Sequence, residues 1–489
     1  MDLQNAKKRK RASGVLMHIS SLYGDYSIGS FGEEALEFVD FLAERGFTYW
    51  QVLPFCMADE CDSPYKSFSA FAGNPYFVDL PTLCKEGLLT EEELAGARQQ
   101  TPWLCEFPRL RKERLPLLRT AAKRAFENPK TVLKIDEFMS AHRDLRDACE
   151  FLALKQANGG RPWIEWTEDK YDGQEFDFWR FVQYEFFTQW SEVRKYAGEK
   201  GVKIIGDIPF YVDFDSCDVW ANRKMFLLSQ DGRPTGVAGV PPDYFAEDGQ
   251  MWNNPLYDWS EMKKDGFCWW KRRLLAMFEL FDGVRIDHFR AFESYWCIPS
   301  GAISAKSGHW EKGPGKDFID MMNSIKGDSF IIAEDLGDIT QDVVELVKYS
   351  GFPGMKVFQF AFNGDRDSPH LPHNYPANCA AYTGTHDNNT LYGFICEADS
   401  DTRKKIFDYC SIQGGSLRQA CSGIIKEMLA SHADTVIFPV QDILRYGADT
   451  RMNRPGIGEG NWAYRVKKEQ LAESDAETLF HWNTMYARI

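Results

Sequence analysis

The sequence predicts an α/β protein, a (β/α)8 TIM barrel with helical insertions, and three observations support this fold class. Helical segments alternate with short apolar strands along most of the 489 residues. About eight such strands can be identified, and they are almost continuously apolar, as strands buried on both faces of a parallel sheet must be. Eight strands over a chain of this length favour a closed barrel over an open doubly wound sheet.

The first step from helix to strand lies near the N-terminus. Ser30 and Glu33 have the spacing of a capping box, an apolar helical stripe follows, and Gly46 ends the predicted helix. A short strand over 49–54 comes next. The same step recurs with helices over 178–200, 269–281, 317–325, 338–349 and 417–429, which lead into strands at 202–207, 283–287, 330–334, 355–358 and 435–439. Further short strands are predicted at 76–80 and 379–382.

Residues 81–177 do not fit this repeat. They are helical in pattern, highly charged and contain tryptophan. We interpret them as a helical insertion subdomain that follows the second strand. Since no low-complexity linker or strict repeat divides the chain, the sequence predicts one catalytic barrel over residues 1–489 rather than tandem domains.

Charge and composition exclude several classes of partner. The net charge of −15 repels phosphate backbones and anionic lipid, so neither nucleic acid nor membrane is expected as a partner. A basic run at 7–11 is interpreted as a solvated leader rather than a nucleic-acid tag. No stretch of about 18 apolar residues predicts a membrane span. The 12 cysteines include no C-x-x-C pair, which favours reduced thiols in a cytoplasmic protein and predicts no metal site.

Aromatic residues make up 15 % of the chain. Such rings form a large aromatic core in many proteins. Where rings lie next to polar groups they indicate sugar recognition instead, because the apolar faces of a pyranose pack against aromatic planes.

Three acidic residues stand at or just beyond the carboxyl ends of predicted strands: Asp287, Glu334 and Asp387. In a barrel these ends share one face and surround one pocket. Each carboxylate alone has a second interpretation, as a cap on the following helix. The presence of three of them, beside Arg285, His288 and His386, favours a catalytic site.

Three converging carboxylates suit glycosyl transfer. One acts as nucleophile, one as protonated acid, and a third holds the substrate; two carboxyl groups about 5–5.5 Å apart give retention of configuration. Arg285 lies two residues before Asp287 on the same strand face and is expected to keep it ionised. Glu334 needs a raised pKa to act as the acid.

Several motifs together resemble the 4-alpha-glucanotransferases, the amylomaltase or disproportionating-enzyme family, which is glycoside hydrolase family 77 of the alpha-amylase clan. The resemblance extends over almost the whole chain. The motifs that carry it lie at 13–16, 62–75, 206–210, 241–245, 285–289, 332–337, 384–388, 451–455 and 460–462.

The resemblance implies a role for each matching residue. Asp287 would be the nucleophile, Glu334 the acid/base and Asp387 the stabiliser of the transition state. Tyr65 would stack on the sugar at the cleavage point, and Asp207 would hydrogen-bond the glucan. The remaining substrate-binding residues are expected to be Ser63, Arg285, His288, His386 and Asn461, together with Tyr244, Phe245 and Trp252 on a flexible loop over the acceptor side.

The family also implies partners. The donor and acceptor would be alpha-1,4-glucans, maltooligosaccharides and glucose, with no cofactor and no obligatory metal. A monomer or weak homo-oligomer is expected. The loop aromatics would exclude water while holding the acceptor, although packing beneath a long loop is an alternative role for them.

Two positions depart from the family pattern. Asn253 stands where the family usually has glycine, which is expected to change the mobility of the loop. Glu60 stands where an aromatic residue often contributes to a remote glucan site, so secondary glucan binding is in question.

Two alternative functions use the same residues. A hydrolase of the amylase type would need the same three carboxylates and would differ in its products. A catalytically inactive glucan-binding protein would keep the aromatic residues but has no need of a mutually repelling acid cluster.

Overall fold

A closed barrel of eight parallel strands forms the centre of the molecule, which confirms the predicted (β/α)8 fold class. The computed structural model describes residues 11–57, 62–242, 247–362 and 366–489. Strands are numbered in chain order over the whole protein. The barrel strands, in order around the barrel, are β1 (Ala12–Leu16), β2 (Tyr49–Gln51), β3 (Lys203–Ile208), β6 (Gly283–Ile286), β9 (Phe330–Ala333), β10 (Gly354–Val357), β11 (Cys379–Tyr382) and β12 (Thr435–Pro439).

The described residues also form 18 α-helices. They are α1 (Glu33–Glu44), α2 (Leu80–Lys85), α3 (Glu91–Ala95), α4 (Phe107–Phe126), α5 (Pro129–Ala141), α6 (Arg143–Ala157), α7 (Gly173–Glu199), α8 (Cys217–Ala221), α9 (Trp259–Lys264), α10 (Cys268–Leu280), α11 (Gly315–Ile325), α12 (Gln341–Ser350), α13 (Leu391–Glu397), α14 (Ser400–Tyr409), α15 (Leu417–Ala430), α16 (Val440–Leu444), α17 (Lys468–Leu471) and α18 (Ala476–Met485). Short 3-10 turns at Phe358–Phe360 and Pro372–Asn374 lie in the connection from β10 to β11.

Six helices, α2 to α7, separate β2 from β3 and form the large insertion after the second strand. The boundaries 81–177 fall inside α2 and α7. Helix α7 packs against α4, α5 and α6 and also leads directly into β3. This single long helix therefore connects the insertion to the barrel.

A second sheet of four antiparallel strands was not predicted from the sequence. Its order is β5 (Gln250–Pro255), β4 (Gly236–Val240), β7 (Ser294–Pro299) and β8 (His309–Lys312). Strand β5 is partly exposed, β8 is exposed and neither has a continuous apolar run, whereas β4 and β7 are more buried. Strands β4 and β5 are inserted after β3, and β7 and β8 after β6, so the sheet lies at the carboxyl end of the barrel.

Two local predictions are wrong. Residues 76–80 form a 3-10 turn and the start of α2 rather than a strand, because Asn74 and Asp79 accept hydrogen bonds from the amides of Tyr76 and Thr82. Helix α1 begins at Glu33 without a capping box. The hydroxyl of Ser30 donates instead to Asp79, 49 residues along the chain.

The described residues include no helix that is long and apolar enough to cross a membrane. They also include no group of three or more histidine, cysteine, aspartate or glutamate side chains arranged to hold a metal ion. The basic run at 7–11 lies outside the described residues except for Arg11.

Candidate active site

Two of the three predicted catalytic carboxylates, Asp287 and Glu334, directly follow the adjacent strands β6 and β9. The amide of Asp287 donates to the carbonyl of Ile208 at 3.0 Å, and the amide of Glu334 donates to the carbonyl of Ile286 at 3.1 Å. The backbone ladder thus continues one residue beyond each strand. Both side chains are thereby placed at the carboxyl end of the barrel, where barrel enzymes carry their active sites.

Arg285 joins two carboxylates in the wall of the barrel. It is the direct neighbour of Asp207 in the β3–β6 register. Its Nη1 donates to both oxygens of Asp207 at 2.9 and 2.8 Å, and its Nη2 donates to Asp287 at 2.7 Å. Burial opposes the charge of Arg285, but the two carboxylates raise its pKa well above the ordinary value. Asp287 is thus held by a permanent cation while 34 % of its side chain stays exposed.

Glu334 has the properties of a general acid. Its carboxylate accepts from the amides of His288 at 2.7 Å and Leu336 at 2.8 Å, which fix its orientation. Burial, and secondly the negative charge of Asp287, raise the pKa of Glu334 to about 7. Glu334 therefore holds a proton under conditions where an ordinary glutamate has lost it.

Asp387 lies beyond β11 and stays ionised. Burial opposes its charge, but His386 and a 2.6 Å hydrogen bond from Asn453 Nδ2 hold the pKa of Asp387 well below its usual range. Arg451 donates to the backbone carbonyl of Asp387 at 2.6 Å. The side chain is 45 % exposed and lines the cleft. Glu334 and Asp387 thus differ in protonation because their surroundings differ.

The two histidines have opposite shifts. Burial lowers the pKa of His288 to about 4, so its ring is neutral. Its Nε2 is buried and has no hydrogen-bond partner among the described residues. Burial also disfavours the charge of His386, yet Asp387, whose Oδ2 lies 3.3 Å from its Nε2, raises the pKa of His386. Both rings line the cleft, where they can contact sugar hydroxyls.

Aromatic rings form one wall of the cleft. The ring of Tyr65 stacks on His386 with centroids 5.0 Å apart, and Trp462 lies 5.8 Å from Tyr65. The hydroxyl of Tyr65 donates to Asp207 at 2.7 Å. Trp252, in β5 of the second sheet, meets His288 edge to face at 5.0 Å. These rings provide apolar planes beside polar groups, as sugar recognition requires.

The cleft has a volume of about 1000 Å³, including the part that is open to solvent. The structure brings together most of the predicted residues there. The lining residues are Ser63, Tyr65, Pro209, Phe210, Tyr211, Gln250, Trp252, Asn254, Asp287, His288, His386, Asp387, Asn453, Pro455, Gly456 and Trp462.

Three described substrate-binding candidates, Asp207, Arg285 and Asn461, are not among the lining residues, and neither is the predicted acid/base Glu334. The side chain of Asp207 has no exposed surface, and its oxygens accept hydrogen bonds from Arg285 and Tyr65. Asn461 accepts from the amide of Arg454 and donates to the carbonyl of Ile457, which closes the loop between them. Tyr244, Phe245 and Glu60 lie outside the described residues.

Asn253 has a physical explanation. Its φ of 65° lies in the left-handed region, where glycine is favoured and asparagine is the side chain most often tolerated. The departure at this position therefore preserves the backbone conformation that glycine would adopt.

Several site residues were not predicted individually. Asn453 and Trp462 belong to the family motifs at 451–455 and 460–462. These motifs marked both residues as candidates, but they did not indicate that the two side chains line the cleft. Gln250 is the first residue of β5, so its placement depends on a sheet that the sequence did not predict. Tyr211 lies three residues beyond the barrel strand β3.

Comparisons with known proteins agree with this geometry. Residues 17–471 match the family Glyco_hydro_77, described as 4-alpha-glucanotransferase. A 4-alpha-glucanotransferase of Streptococcus pneumoniae (strain TIGR4) is 42 % identical over 501 residues, covering 98 % of each chain. One from Thermus thermophilus is 41 % identical over 492 residues, covering 96 % of this chain and 97 % of that protein. The amylomaltase of Streptococcus agalactiae, solved in complex with acarbose, is 36 % identical with a TM-score of 0.94, over 98 % of this chain and 100 % of that one.

Proposed function

The chain belongs to the 4-alpha-glucanotransferase family, and on this premise we propose how its cleft performs the transfer. The enzyme moves an alpha-1,4-linked glucan segment from a maltooligosaccharide or starch-like donor to the 4-hydroxyl of glucose or another glucan. The configuration at the anomeric carbon is retained. The observation that carries the proposal is the contrast between Glu334, with its pKa raised to about 7, and an Asp287 bound by Arg285.

In the first step a carboxylate oxygen of Asp287 attacks the anomeric carbon of the donor. The bond from that carbon to the leaving O4 breaks, and Glu334 gives its proton to O4. The raised pKa of Glu334 supports this role, because an acid with a pKa near the working pH both holds and releases its proton. The product is a glycosyl ester on Asp287 and a shortened glucan with a free hydroxyl.

In the second step an acceptor 4-hydroxyl replaces the released fragment. Glu334, now ionised, takes the hydroxyl proton while the acceptor oxygen attacks the anomeric carbon and the ester bond to Asp287 breaks. Two inversions at the same carbon give net retention. The number of glycosidic bonds and of reducing ends is therefore unchanged, which separates transfer from hydrolysis.

The neighbouring residues bind and orient the sugar. We propose that Asp387 accepts from sugar hydroxyls more strongly as positive charge develops in the transition state. The neutral ring of His288 and the Asp387-linked ring of His386 contact further hydroxyls, and Tyr65 supplies a stacking surface. Asp207 acts through Arg285 and Tyr65, since its side chain has no exposed surface.

A sugar acceptor can compete with water only if the site positions the sugar and excludes water. We propose that aromatic rings on the acceptor side of the cleft do both. Trp252 supports this proposal because it lines the cleft from within β5. Tyr244 and Phe245, on the same loop, remain proposed contributors. The partners are alpha-1,4-glucans, maltooligosaccharides and glucose, and a cytoplasmic monomer or weak homo-oligomer remains our expectation. The 11 free cysteines of the described residues are compatible with a reducing compartment.

The test is incubation of the purified protein with maltotriose. We expect glucose and a ladder of longer maltooligosaccharides by chromatography, with a constant total of reducing ends. A rising total with only shorter sugars would assign a hydrolase instead. No reaction by folded protein would contradict transfer and favour a binding protein. The Asp287→Asn variant should lose transfer while its circular dichroism spectrum is unchanged.

A further inference from the structure

Asp442 is a carboxylate that the mechanism above does not use. It belongs to the short helix α16, which follows the last barrel strand β12. Its exposed fraction is 0 %, and it does not line the cleft. Burial of a carboxylate costs free energy unless hydrogen bonds or a counter-charge compensate. Such a group is retained only where its contacts do something that an apolar side chain could not.

The contacts of Asp442 are two short hydrogen bonds from uncharged donors. The hydroxyl of Thr383 donates to Oδ2 at 2.6 Å, and the backbone amide of Leu391 donates to Oδ1 at 2.6 Å. Thr383 directly follows β11, and Leu391 is the first residue of α13. One carboxylate therefore fixes the distance between the end of a barrel strand and the start of the next helix.

The segment between these two contacts, residues 384–390, carries His386 and Asp387. The middle of this segment is hydrogen-bonded to residues that follow Asp442 closely in the chain. The amide of Asn453 donates to the carbonyl of His386 at 3.1 Å, and Arg451 donates to the carbonyl of Asp387. Gln441, the neighbour of Asp442, donates to the carbonyl of Thr450 at 3.0 Å. Helix α16 therefore contacts both groups of residues. Asp442 binds the two ends of the 384–390 segment, and Gln441 binds Thr450, which directly precedes Arg451.

We propose that Asp442 is a positioning residue for transfer, which sets the position of Asp387 and His386 by holding both ends of the 384–390 segment. The proposal rests on the proposed role of Asp387 in the transition state. A displacement of about 1 Å in a catalytic constellation can cost on the order of 100-fold in rate. Because Asp387 is proposed to bind the transition state more strongly than the donor, its displacement should lower kcat and leave KM nearly unchanged.

The test compares four variants in the maltotriose assay, with rates normalised to the folded fraction from near-ultraviolet circular dichroism. Asp442→Asn replaces one carboxylate oxygen with an amide nitrogen and removes the negative charge at constant shape, and Thr383→Val removes the hydroxyl at constant shape. Thr383→Ser keeps the donor. Glu185→Gln is the matched control, since Glu185 is also a buried carboxylate but lies on α7 with Gln189 as its contact.

We expect Asp442→Asn and Thr383→Val each to lower kcat at least fivefold with KM within threefold. Thr383→Ser and Glu185→Gln should stay within threefold of the wild type in kcat. The double variant Asp442→Asn/Thr383→Val should lose little more than either single variant, because both remove the same contact.

A purely structural role predicts a different pattern, in which melting temperatures fall but kcat per folded molecule changes less than fivefold. That result would overturn the proposal, as would an equal loss in Glu185→Gln. If Asp442→Asn does not fold, the comparison of Thr383→Val with Thr383→Ser decides alone. An inactive wild-type protein would instead refute the proposed function.

Discussion

At the scale of single residues, Arg285 determines the charge state of the cleft. It lies between Asp207, which has no exposed side-chain surface, and Asp287, whose side chain is partly open to the substrate. Two carboxylates this close to each other need the intervening cation, since removing one partner of a buried ion pair leaves an uncompensated charge. The same guanidinium therefore joins the barrel wall to the proposed nucleophile through one ion pair on each side.

Replacing Arg285 tests both ion pairs. Arg285→Met should destabilise the protein by about 3–5 kcal/mol, the range found for breaking a buried pair, and should abolish transfer. Urea unfolding measures the stability and the maltotriose assay the activity. Adding Asp207→Asn should restore part of the stability but not the activity. Wild-type stability in Arg285→Met would contradict the ion-pair interpretation.

The raised pKa of Glu334 predicts an alkaline limit to activity. The first step needs Glu334 protonated in the free enzyme, so kcat/KM for maltotriose should fall as the pH rises through about 7. His288 cannot produce this limb, because its pKa is lowered to about 4. The pKa of His386 is raised by Asp387 despite burial, so the limb should persist in His386→Asn if Glu334 is its source. A profile that stays flat up to pH 9 would show that another group is the acid.

The same shift predicts a pH-dependent stability. Unfolded glutamate has a pKa of about 4.3, so between that value and about 7 the unfolded state binds fewer protons than the folded state. The free energy of unfolding must fall as the pH rises through this range. Glu334→Gln has no titratable group at this position, so its free energy of unfolding should not show this fall with rising pH. Its melting temperature should exceed that of the wild type by more at pH 8 than at pH 5, and an equal difference at both values would be inconsistent with the shift.

At the scale of secondary-structure elements, β5 brings an aromatic side chain to the cleft. The strand pairs with β4 through a register shift between Val237 and Gly239. Asn253 adopts a left-handed conformation next to Trp252. The indole of Trp252 in this irregular edge strand contacts His288. Without the left-handed residue at 253 the strand would continue in a different direction after Trp252.

Removal of that indole should change the products rather than the fold. Trp252→Ala opens the acceptor side to water, so hydrolysis should rise relative to transfer by severalfold, seen as growing reducing ends in the maltotriose assay. Trp310→Ala is a matched control, since Trp310 lies on β8 of the same sheet and does not line the cleft. An unchanged ratio of hydrolysis to transfer in Trp252→Ala would show that this residue does not exclude water from the acceptor side.

At the scale of the whole molecule, the C-terminal region supports the closure of the barrel. Strand β1 pairs with β12 over five residues from Ala12 to Leu16. Arg488, fully buried just beyond α18, donates to the carbonyls of Ala12, Leu429 and Ser431 at 3.0, 2.8 and 3.2 Å. One side chain thus joins the first strand to the turn that precedes the last.

Loss of Arg488 should weaken this closure. Arg488→Ala removes these three bonds, although the carbonyls of Leu429 and Ser431 also accept from Arg11, and we expect a loss of about 1.5–3 kcal/mol in the free energy of unfolding. Arg418→Ala, at an exposed position on α15, should change it by less than about 0.5 kcal/mol. Denaturant unfolding of both variants gives the comparison. Equal stabilities would show that β1–β12 pairing closes the barrel without the arginine.

The barrel and the three carboxylates were predictable because their signals are local. A run of apolar residues followed by an acid predicts both a buried strand and a group at its end, whatever the neighbours are. The second sheet was not predictable in this way, since its strand β5 is partly exposed, β8 is exposed and neither has a comparable pattern. The short apolar run at 76–80 predicts a strand, but the side chains of Asn74 and Asp79 cap a 3-10 turn and helix α2 there.

The sequence by itself determined the fold class, the family and the residues that we propose for the chemistry. Only the tertiary structure decided what each polar group does. Asp207 meets Arg285 across 78 residues, Asp387 meets Asn453 across 66, and Asp442 meets Thr383 across 59. Whether a carboxylate is exposed, buried, protonated or paired depends on such distant contacts, because burial and neighbouring charge together set its pKa and its accessibility.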